Sequence, residues 1–155
     1  MNTPLRQRAE LNQRIRAFFS QRDILEVETP LLCRHSVTDP YIDSFQSDDR
    51  YLQPSPEYAM KRLLAGGSGS IYQICKAFRR EEAGSQHNPE FTMLEWYRIG
   101  FDHHQLMDEM SDFLQETIDC QKAVKISYHE AFMQHLNINP HTADVDTLAH
   151  TAHKA

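Results

Sequence analysis

Chemically useful side chains are concentrated in two strand-like stretches joined by the polar loop 82–89. Side chains of a strand point alternately to opposite faces, so Arg79 shares one face with every second residue of the first stretch. On the second stretch, Phe91, Glu95 and Tyr97 share a face in the same way. If the two faces coincide in a hairpin, one surface presents a guanidinium, a carboxylate, a phenol and a phenyl ring. That surface suits a ligand that carries an anion, a flat ring and a cation.

Arg79 is the candidate for binding the anion. A guanidinium offers a planar, always-charged fork that matches phosphate or carboxylate oxygens. The alternative is an ion pair with Glu81 or Glu82, which would give Arg79 a structural role only. Near Arg79, Phe91 can stack on a flat base and Asn88 can form a hydrogen bond with a nucleotide. Core packing is the alternative for a single Phe such as Phe91.

Glu57, Glu95 and Tyr97 form the second candidate group. Two carboxylates and a phenol that face one cleft favour a ligand with amino groups. The alternatives are an interaction of Glu57 with the positive end of a helix and a solvated strand face for Glu95. The residue types alone leave these alternatives open.

Several common functional motifs are absent from the sequence. The glycines at 66, 67 and 69 lack the Lys-Ser/Thr pair that a P-loop needs. The nine histidines do not combine with Cys or carboxylates at metal-ligand spacing, so these residues predict no metal site. Residue order supports neither a Ser/His/Asp nor a Cys/His nucleophile. A nucleotide would therefore be bound without the common glycine-rich loops.

Composition predicts a soluble globular protein of the cytoplasm. The chain has 155 residues, of which 40% are hydrophobic and 25% are charged, and its formal net charge is −6. A negative net charge gives no sign of the basic surface that binding of nucleic acid usually requires. No apolar run approaches membrane-spanning length and no signal-peptide core is visible, so no membrane is expected. Three distant cysteines without CxxC spacing are typical of reduced cytosolic thiols.

Capping residues and periodicity predict the helices that frame the hairpin. Thr3-Pro4 begins a helix that runs to about Arg22. A second helix has Ser55 as its N-cap and ends at Gly66-Gly67. Asp102 caps a third helix with an apolar stripe along one side. The residues of this stripe are Leu106, Met110, Phe113, Leu114 and Ile118.

Beyond the third helix the sequence signals for secondary structure are weaker. Residues 124–126 predict a short strand, and Ser127 with Glu130 predicts a capping box at the start of another helix. A weak polar helix is expected from about Thr142 onward. No composition shift marks an internal boundary, so residues 1–155 are predicted to belong to one domain.

At the hairpin the sequence acquires a family resemblance. The run from His87 to Tyr97, with Phe78-Arg79-Arg80-Glu81 before it, closely resembles motif 2 of class II aminoacyl-tRNA synthetases in its lysine-type version. The first helix and the strand that ends at Glu28-Thr29-Pro30 resemble motif 1, and Ser55-Pro56-Glu57 resembles the substrate-recognising segment between the motifs. Motif 1 is placed at about 5–30 and motif 2 at about 70–98. The resemblance implies an α+β catalytic domain in which an antiparallel sheet is flanked by helices.

Within this group, the sequence is similar to the elongation factor P–(R)-β-lysine ligases, paralogues of lysyl-tRNA synthetase. Motif 1 begins almost at the first residue, so no anticodon-binding domain is expected. The resemblance implies that ATP activates (R)-β-lysine or lysine as an aminoacyl-adenylate, which is then transferred to a lysine of elongation factor P. It also implies a homodimer formed through motif 1.

The resemblance assigns roles residue by residue. Arg79 is implied to be catalytic, in contact with the ATP α-phosphate and the substrate carboxylate. The residues implied to bind ATP are Arg79, Arg80, Glu81, Asn88 and Phe91. The residues implied to bind the amino acid are Ser55, Pro56, Glu57, Glu95 and Tyr97. This chemistry needs no protein nucleophile, because the substrate carboxylate itself attacks the α-phosphate. The protein has only to align these two anions and to offset the repulsion between them.

The resemblance also indicates what this sequence lacks. Motif 3, which in the family supplies a second ATP-binding arginine and the acidic residues that hold Mg²⁺, lies beyond the last residue, so the sheet is expected to be incomplete. The sequence stops in a segment that still looks helical, which favours a fragment. Two alternatives therefore stand beside the ligase. One is a truncated lysyl-tRNA synthetase, which the negative net charge disfavours because a tRNA-binding protein usually needs a basic surface. The other is a catalytically inactive fragment.

Overall fold

The structure is a computed structural model that describes residues 3–80 and 82–153. In chain order its helices and strands are α1 (Pro4–Ser20), β1 (Leu25–Glu26), β2 (Leu32–Cys33), β3 (Gln46–Ser47), β4 (Arg50–Leu52), α2 (Glu57–Ala65), β5 (Ile71–Phe78), β6 (Glu90–Tyr97), α3 (His103–Ile118), α4 (Tyr128–Leu136) and α5 (Val145–Ala152). The chain forms two compact units, Met1–Cys120 and Gln121–Ala155, and each is described by itself. Within the described residues, no helix is both long and apolar enough to cross a membrane.

A three-stranded sheet organises the first unit. β5 is its central strand, with β1 parallel on one side and β6 antiparallel on the other. The β5–β6 ladder runs along both strands, from Ile71 opposite Tyr97 to Phe78 opposite Glu90. The predicted hairpin is therefore confirmed, and the antiparallel sheet flanked by helices agrees with the α+β fold that the family resemblance implies.

One face of this sheet is covered by α1 and α3 through aromatic side chains. Phe19 of α1 is fully buried, and its ring stacks on Tyr72 with the centroids 4.3 Å apart. Phe113 of α3 meets Phe18 edge to face at 5.2 Å, and Trp96 of β6 lies 5.7 Å from Phe19. Edge-to-face and stacked pairs add to the stabilisation that burial of each ring supplies. Because Tyr72 and Trp96 belong to the core, the opposite face of the hairpin is left for another use.

A second sheet positions the start of α2. In it β4 lies between β2 and β3, and both pairings are antiparallel. Directly after β4, the Gln53 carbonyl accepts a hydrogen bond of 3.1 Å from the backbone N–H of Phe78. The residues that lead into α2 therefore lie beside the end of β5.

The N-cap predicted for α2 is wrong by one residue. Pro56 occupies the N-cap position, and the Ser55 hydroxyl accepts a hydrogen bond of 3.1 Å from the Glu57 N–H. The same hydroxyl donates to Glu95 on β6. The side chain of Ser55 thus links two elements, which a local capping rule does not anticipate.

The apolar stripe of α3 is only partly buried, with Phe113 in the core and Leu114 packed against it. The buried residues of α3 are Glu109, Ser111, Phe113 and Thr117. In the predicted stripe, Leu106, Met110 and Ile118 are exposed. Successive helical residues are about 100° apart, so the buried face lies roughly one residue around the helix from the middle of the apolar stripe. The physical reason is Glu109, whose carboxylate accepts a 3.1 Å hydrogen bond from Trp96 Nε1 and lies 3.0 Å from Arg98 Nε.

The second unit contains α4 and α5. The predicted capping box is confirmed, since the Ser127 hydroxyl accepts from the Glu130 N–H and the Glu130 carboxylate accepts from the Ser127 N–H. The strand predicted at 124–126 is wrong, because these residues have no regular structure. Val124 is 84% exposed, and a strand this short is not stable without a pairing partner.

Candidate functional site

The face of the β5–β6 hairpin that points away from the core carries the predicted site. Pairing places Gln73 opposite Glu95 and Ala77 opposite Phe91. Residues that lie opposite each other in a ladder share a face, and Arg79 continues the same alternation just past β5. The predicted coincidence of the two polar faces is therefore confirmed.

Arg79 is held at the end of β5 by backbone and side-chain contacts. Its Nη1 donates a 2.9 Å hydrogen bond to Glu82, and its Nε donates one of 3.3 Å to the Pro54 carbonyl. The centre of the guanidinium lies 5.2 Å from the centroid of the Phe91 ring. The ion pair that the sequence offered as an alternative is thus present, with Glu82 as the partner. These contacts also fix the plane of the guanidinium beside the ring.

A cleft of about 520 Å³ opens beside Arg79, and we call it the Glu95 cleft. Segment 37–42, the residues that lead into α2, and the middle of β6 form its walls. Its charged lining residues are Arg79, Asp39, Glu57 and Glu95. One guanidinium and three carboxylates match a ligand that carries one carboxylate and more than one ammonium group.

The Glu95 carboxylate is oriented by two hydroxyl groups. Ser55 donates to its Oε2 at 2.9 Å and Tyr97 donates to its Oε1 at 2.8 Å. Glu57, at the start of α2, pairs instead with Lys61 at 2.5 Å and is 40% exposed. Glu95 is therefore the fixed carboxylate of the cleft, and Glu57 is the more exposed one.

Two ionisable groups on this face, the Tyr97 phenol and the Cys75 thiol, are held in their neutral forms. Burial raises the pKa of Tyr97, and the hydrogen bond to Glu95 together with its negative charge raises it further. The phenol consequently keeps its proton at neutral pH and remains a donor. Burial also raises the pKa of the Cys75 thiol. A thiol with a raised pKa is not an activated nucleophile.

A second cleft of about 650 Å³ lies at the other end of β6, and we call it the Phe91 cleft. Phe91, Asn88 and Glu82 are among its lining residues. Arg79 lines the Glu95 cleft and contacts both Glu82 and Phe91. Through these contacts Arg79 links the lining of the Glu95 cleft to that of the Phe91 cleft.

Three of the described residues with implied roles, Arg80, Pro56 and Tyr97, are not among those that line either cleft. Arg80 is exposed, its backbone N–H donates to the Asp43 carbonyl at 2.9 Å, and it is not among the described residues that line either cleft. Pro56 is buried behind the cleft wall as the N-cap of α2. Glu81 lies outside the described residues.

The sequence reasoning missed two parts of the site. Segment 37–42 belongs to an irregular stretch whose Asp and Ser residues gave no position relative to the hairpin. Arg8 of α1 lines the Phe91 cleft and donates a 2.6 Å hydrogen bond to the Thr92 hydroxyl. No periodicity or motif links Arg8 to the hairpin, so no sequence signal could have found it.

The residues described here provide no group of three or more His, Cys, Asp or Glu side chains that could hold a metal ion. They therefore do not by themselves fit the Mg²⁺ that the resemblance implies.

Comparison with known families agrees with the fold. A family model for class II tRNA synthetases (D, K and N) matches residues 1–148. The chain belongs to this family.

Individual relatives show which members of this family the chain is similar to. The chain is 53% identical over 146 residues to the elongation factor P–(R)-β-lysine ligase of Vibrio vulnificus, an alignment that covers 88% of this chain and 45% of the relative. It is 49% identical to the ligase of that name from Yersinia enterocolitica, with 97% of this chain and 49% of the relative covered. For the one from Histophilus somni the identity is 48%, with 94% and 48% covered. The chain thus spans about half the length of the curated relatives it matches.

Proposed function

We propose that the protein is an ATP-dependent ligase that activates (R)-β-lysine, or lysine, and transfers it to a lysine of elongation factor P. The observation that carries the proposal is that Arg79 lines the Glu95 cleft and also contacts Glu82 and Phe91, which line the Phe91 cleft. The substrate class is taken from the names of the relatives and from the charge pattern of the Glu95 cleft.

The proposed first step joins the two ligands at Arg79. A carboxylate oxygen of the amino acid attacks the α-phosphorus of ATP, a new P–O bond forms, and the bond to the bridging oxygen breaks so that pyrophosphate leaves. The guanidinium offsets the repulsion between the carboxylate and the phosphate and stabilises the charge that develops on the α-phosphate. Phe91 stacks on the adenine ring, and Asn88 binds on the adenine side. Arg80 and Glu81 remain proposed ATP ligands from the resemblance alone.

In the same proposal the amino acid is bound by its ammonium groups. Glu95 accepts from one ammonium while the hydroxyls of Ser55 and Tyr97 hold its carboxylate in place. Glu57 accepts from the second ammonium, and Pro56 rigidifies the wall that carries it. In the second step an ε-amine of the acceptor attacks the carbonyl carbon of the adenylate, an amide bond forms, and AMP leaves.

The remaining partners are proposals from the family resemblance. Residues 1–155 would contribute to one class II catalytic domain, with motif 1 at about 5–30 in a homodimer interface and motif 2 at about 70–98. The protein would act in the cytoplasm and would not need tRNA. ATP is usually delivered with Mg²⁺ in such enzymes, but no step above depends on a metal ligand from the described residues.

Isotopic exchange between ATP and pyrophosphate tests the proposal, with (R)-β-lysine and L-lysine in parallel. Exchange that prefers (R)-β-lysine supports the ligase. Exchange with L-lysine alone would instead support a lysyl-tRNA synthetase. A folded chain that shows no exchange with either amino acid would be an inactive fragment, and the proposal would fail for this polypeptide.

A further inference from the structure

The wall of the Glu95 cleft formed by segment 37–42 is attached to the rest of the fold in an unusual way. Val37, Thr38, Asp39, Pro40 and Ile42 all line the cleft. Thr38, Asp39, Pro40 and Tyr41 are exposed to solvent on the other side. The segment has no regular secondary structure. Its position must therefore be set by specific contacts instead of by burial in a core.

Those contacts converge on one hydroxyl group. The Thr38 N–H donates a 3.3 Å hydrogen bond to Tyr58 Oη, and the Thr38 hydroxyl lies 2.6 Å from the same oxygen. The other two hydrogen bonds of the segment are internal, from the Tyr41 and Ile42 N–H groups to Asp39. Among the described residues, Tyr58 is thus the partner in both hydrogen bonds that tie segment 37–42 to the rest of the protein.

Tyr58 is well placed to transmit this constraint. It lies in the first turn of α2, next to Glu57, and its side chain lines the Glu95 cleft. It also lines a neighbouring cleft on the far side, with Cys33 and Arg62. Tyr58 therefore borders both clefts, and its hydroxyl contacts Thr38 of the segment.

We propose that Tyr58 is a positioning residue whose hydroxyl latches segment 37–42 in place and so shapes the amino-acid side of the site. The proposal rests on the proposed function only in taking the Glu95 cleft as the amino-acid site. Without the hydroxyl the segment samples more conformations. Amino-acid binding would then have to order the segment, and the lost conformational entropy would weaken the binding free energy. The Phe91 cleft is lined by other residues, so ATP binding is expected to be unaffected.

Hydrogen exchange of residues 37–42 measures the latch directly and requires no activity. We expect Tyr58→Phe to speed exchange across the segment by roughly 2- to 10-fold, because a lost hydrogen bond changes an equilibrium by about that factor. Thr38→Val keeps the backbone hydrogen bond and should give a smaller increase. The double variant should match Tyr58→Phe, since both changes remove the same contact. Tyr41→Phe is the matched control, because Tyr41 is 94% exposed in the same segment.

Amino-acid and ATP affinities, measured by calorimetry on the same variants, give the second readout. Tyr58→Phe should weaken binding of the preferred lysine isomer by roughly 2- to 10-fold and leave ATP affinity within about twofold. Weaker amino-acid binding with unchanged exchange would overturn the latch, because Tyr58 would then contact the ligand directly. Unchanged exchange and unchanged affinity would also overturn it. If the unaltered chain binds neither isomer, the proposed function fails, while hydrogen exchange still decides the latch.

Discussion

Ser55 and Glu95 lie 40 positions apart in the chain, and the Ser55 hydroxyl donates a 2.9 Å hydrogen bond to the Glu95 carboxylate. This contact joins the residues that lead into α2 to the middle of β6. It places the amino-acid side of the proposed site across two elements that no local motif connects. The charge of Glu95 is thereby presented to the cleft in a fixed orientation.

Glu95→Gln should weaken binding of the lysine isomer by about 10- to 100-fold, because a hydrogen bond to a charged group contributes roughly 1.5–3 kcal/mol. The amide oxygen can still accept from one of the two hydroxyls and the amide NH2 can donate to the oxygen of the other, so the fold should be retained. Calorimetric titration with each isomer measures the change. Glu116→Gln is the control, since it also removes a hydrogen-bonded carboxylate, on α3, at 2.6 Å from Arg22. Equal losses in the two variants would show that Glu95 has no specific role.

Arg79→Lys should lower the rate of ATP–pyrophosphate exchange by about 100-fold or more, which is typical for loss of a donor that stabilises developing charge. Lysine keeps the charge but cannot reproduce the contacts to Glu82 and Pro54 that fix the guanidinium plane. The matched control is Arg14→Lys, in an exposed ion pair with Asp119. If exchange by Arg79→Lys stays within about threefold of the unaltered chain, a point charge suffices and the fork is not needed.

Phe91→Ala should raise the dissociation constant for ATP by about 5- to 100-fold, since stacking of a base on an aromatic ring contributes roughly 1–3 kcal/mol. Phe91→Tyr keeps the ring and should bind ATP almost normally. Equilibrium binding of ATP separates the two variants. Equal weakening in both would mean that the site does not use the ring face.

Phe19→Ala tests the core that supports the hairpin. The ring is fully buried and contacts Tyr72 and Trp96. Its removal should lower the free energy of unfolding by about 3–5 kcal/mol, or abolish cooperative unfolding of a marginally stable chain. Leu5→Ala, at a position that is 81% exposed, should change it by less than about 0.5 kcal/mol. Urea denaturation monitored by the fluorescence of Trp96 is the measurement, and similar midpoints for the two variants would contradict the core assignment.

Glu26 makes stability depend on pH in a defined direction. Hydrogen bonds from Arg16, and then from Tyr72, lower the pKa of the Glu26 carboxyl in the folded chain. Because the pKa is lowered, the carboxylate stabilises the folded chain at every pH above the pKa of Glu26 in the unfolded chain, which is about 4.3. This stabilisation is lost as the pH falls through the pKa of Glu26 in the folded chain.

The difference in unfolding free energy between the unaltered chain and Glu26→Gln should therefore be constant from pH 8 to about pH 5.5 and shrink in more acidic solution. The two side chains of the Arg16–Glu26 pair are 50% and 38% exposed, so the difference should stay below about 1 kcal/mol. Urea midpoints at a series of pH values test this. If the difference in unfolding free energy instead grew as the pH fell, the pKa of Glu26 would be raised in the folded chain and the interpretation of a lowered pKa would be refuted.

The hairpin and its polar face could be predicted from the sequence because both depend on local rules. Strand alternation places Phe91, Glu95 and Tyr97 on one face, and a short polar loop between two apolar stretches implies antiparallel pairing. The motif around Arg79 then added the family, together with proposed roles for individual residues. The capping box at Ser127 is equally local, and the structure confirms it.

Contacts between distant residues were decided by the tertiary structure. The orientation of α3 depends on Glu109 meeting Trp96 and Arg98, and an apolar stripe does not reveal that a carboxylate will be buried. The wall of the Glu95 cleft depends on one hydroxyl of Tyr58 reaching Thr38 in an irregular segment. Periodicity reports which face of an element is apolar. Which partner that face meets is set by the packing of elements far apart in the chain, and that information exists only once the chain has folded.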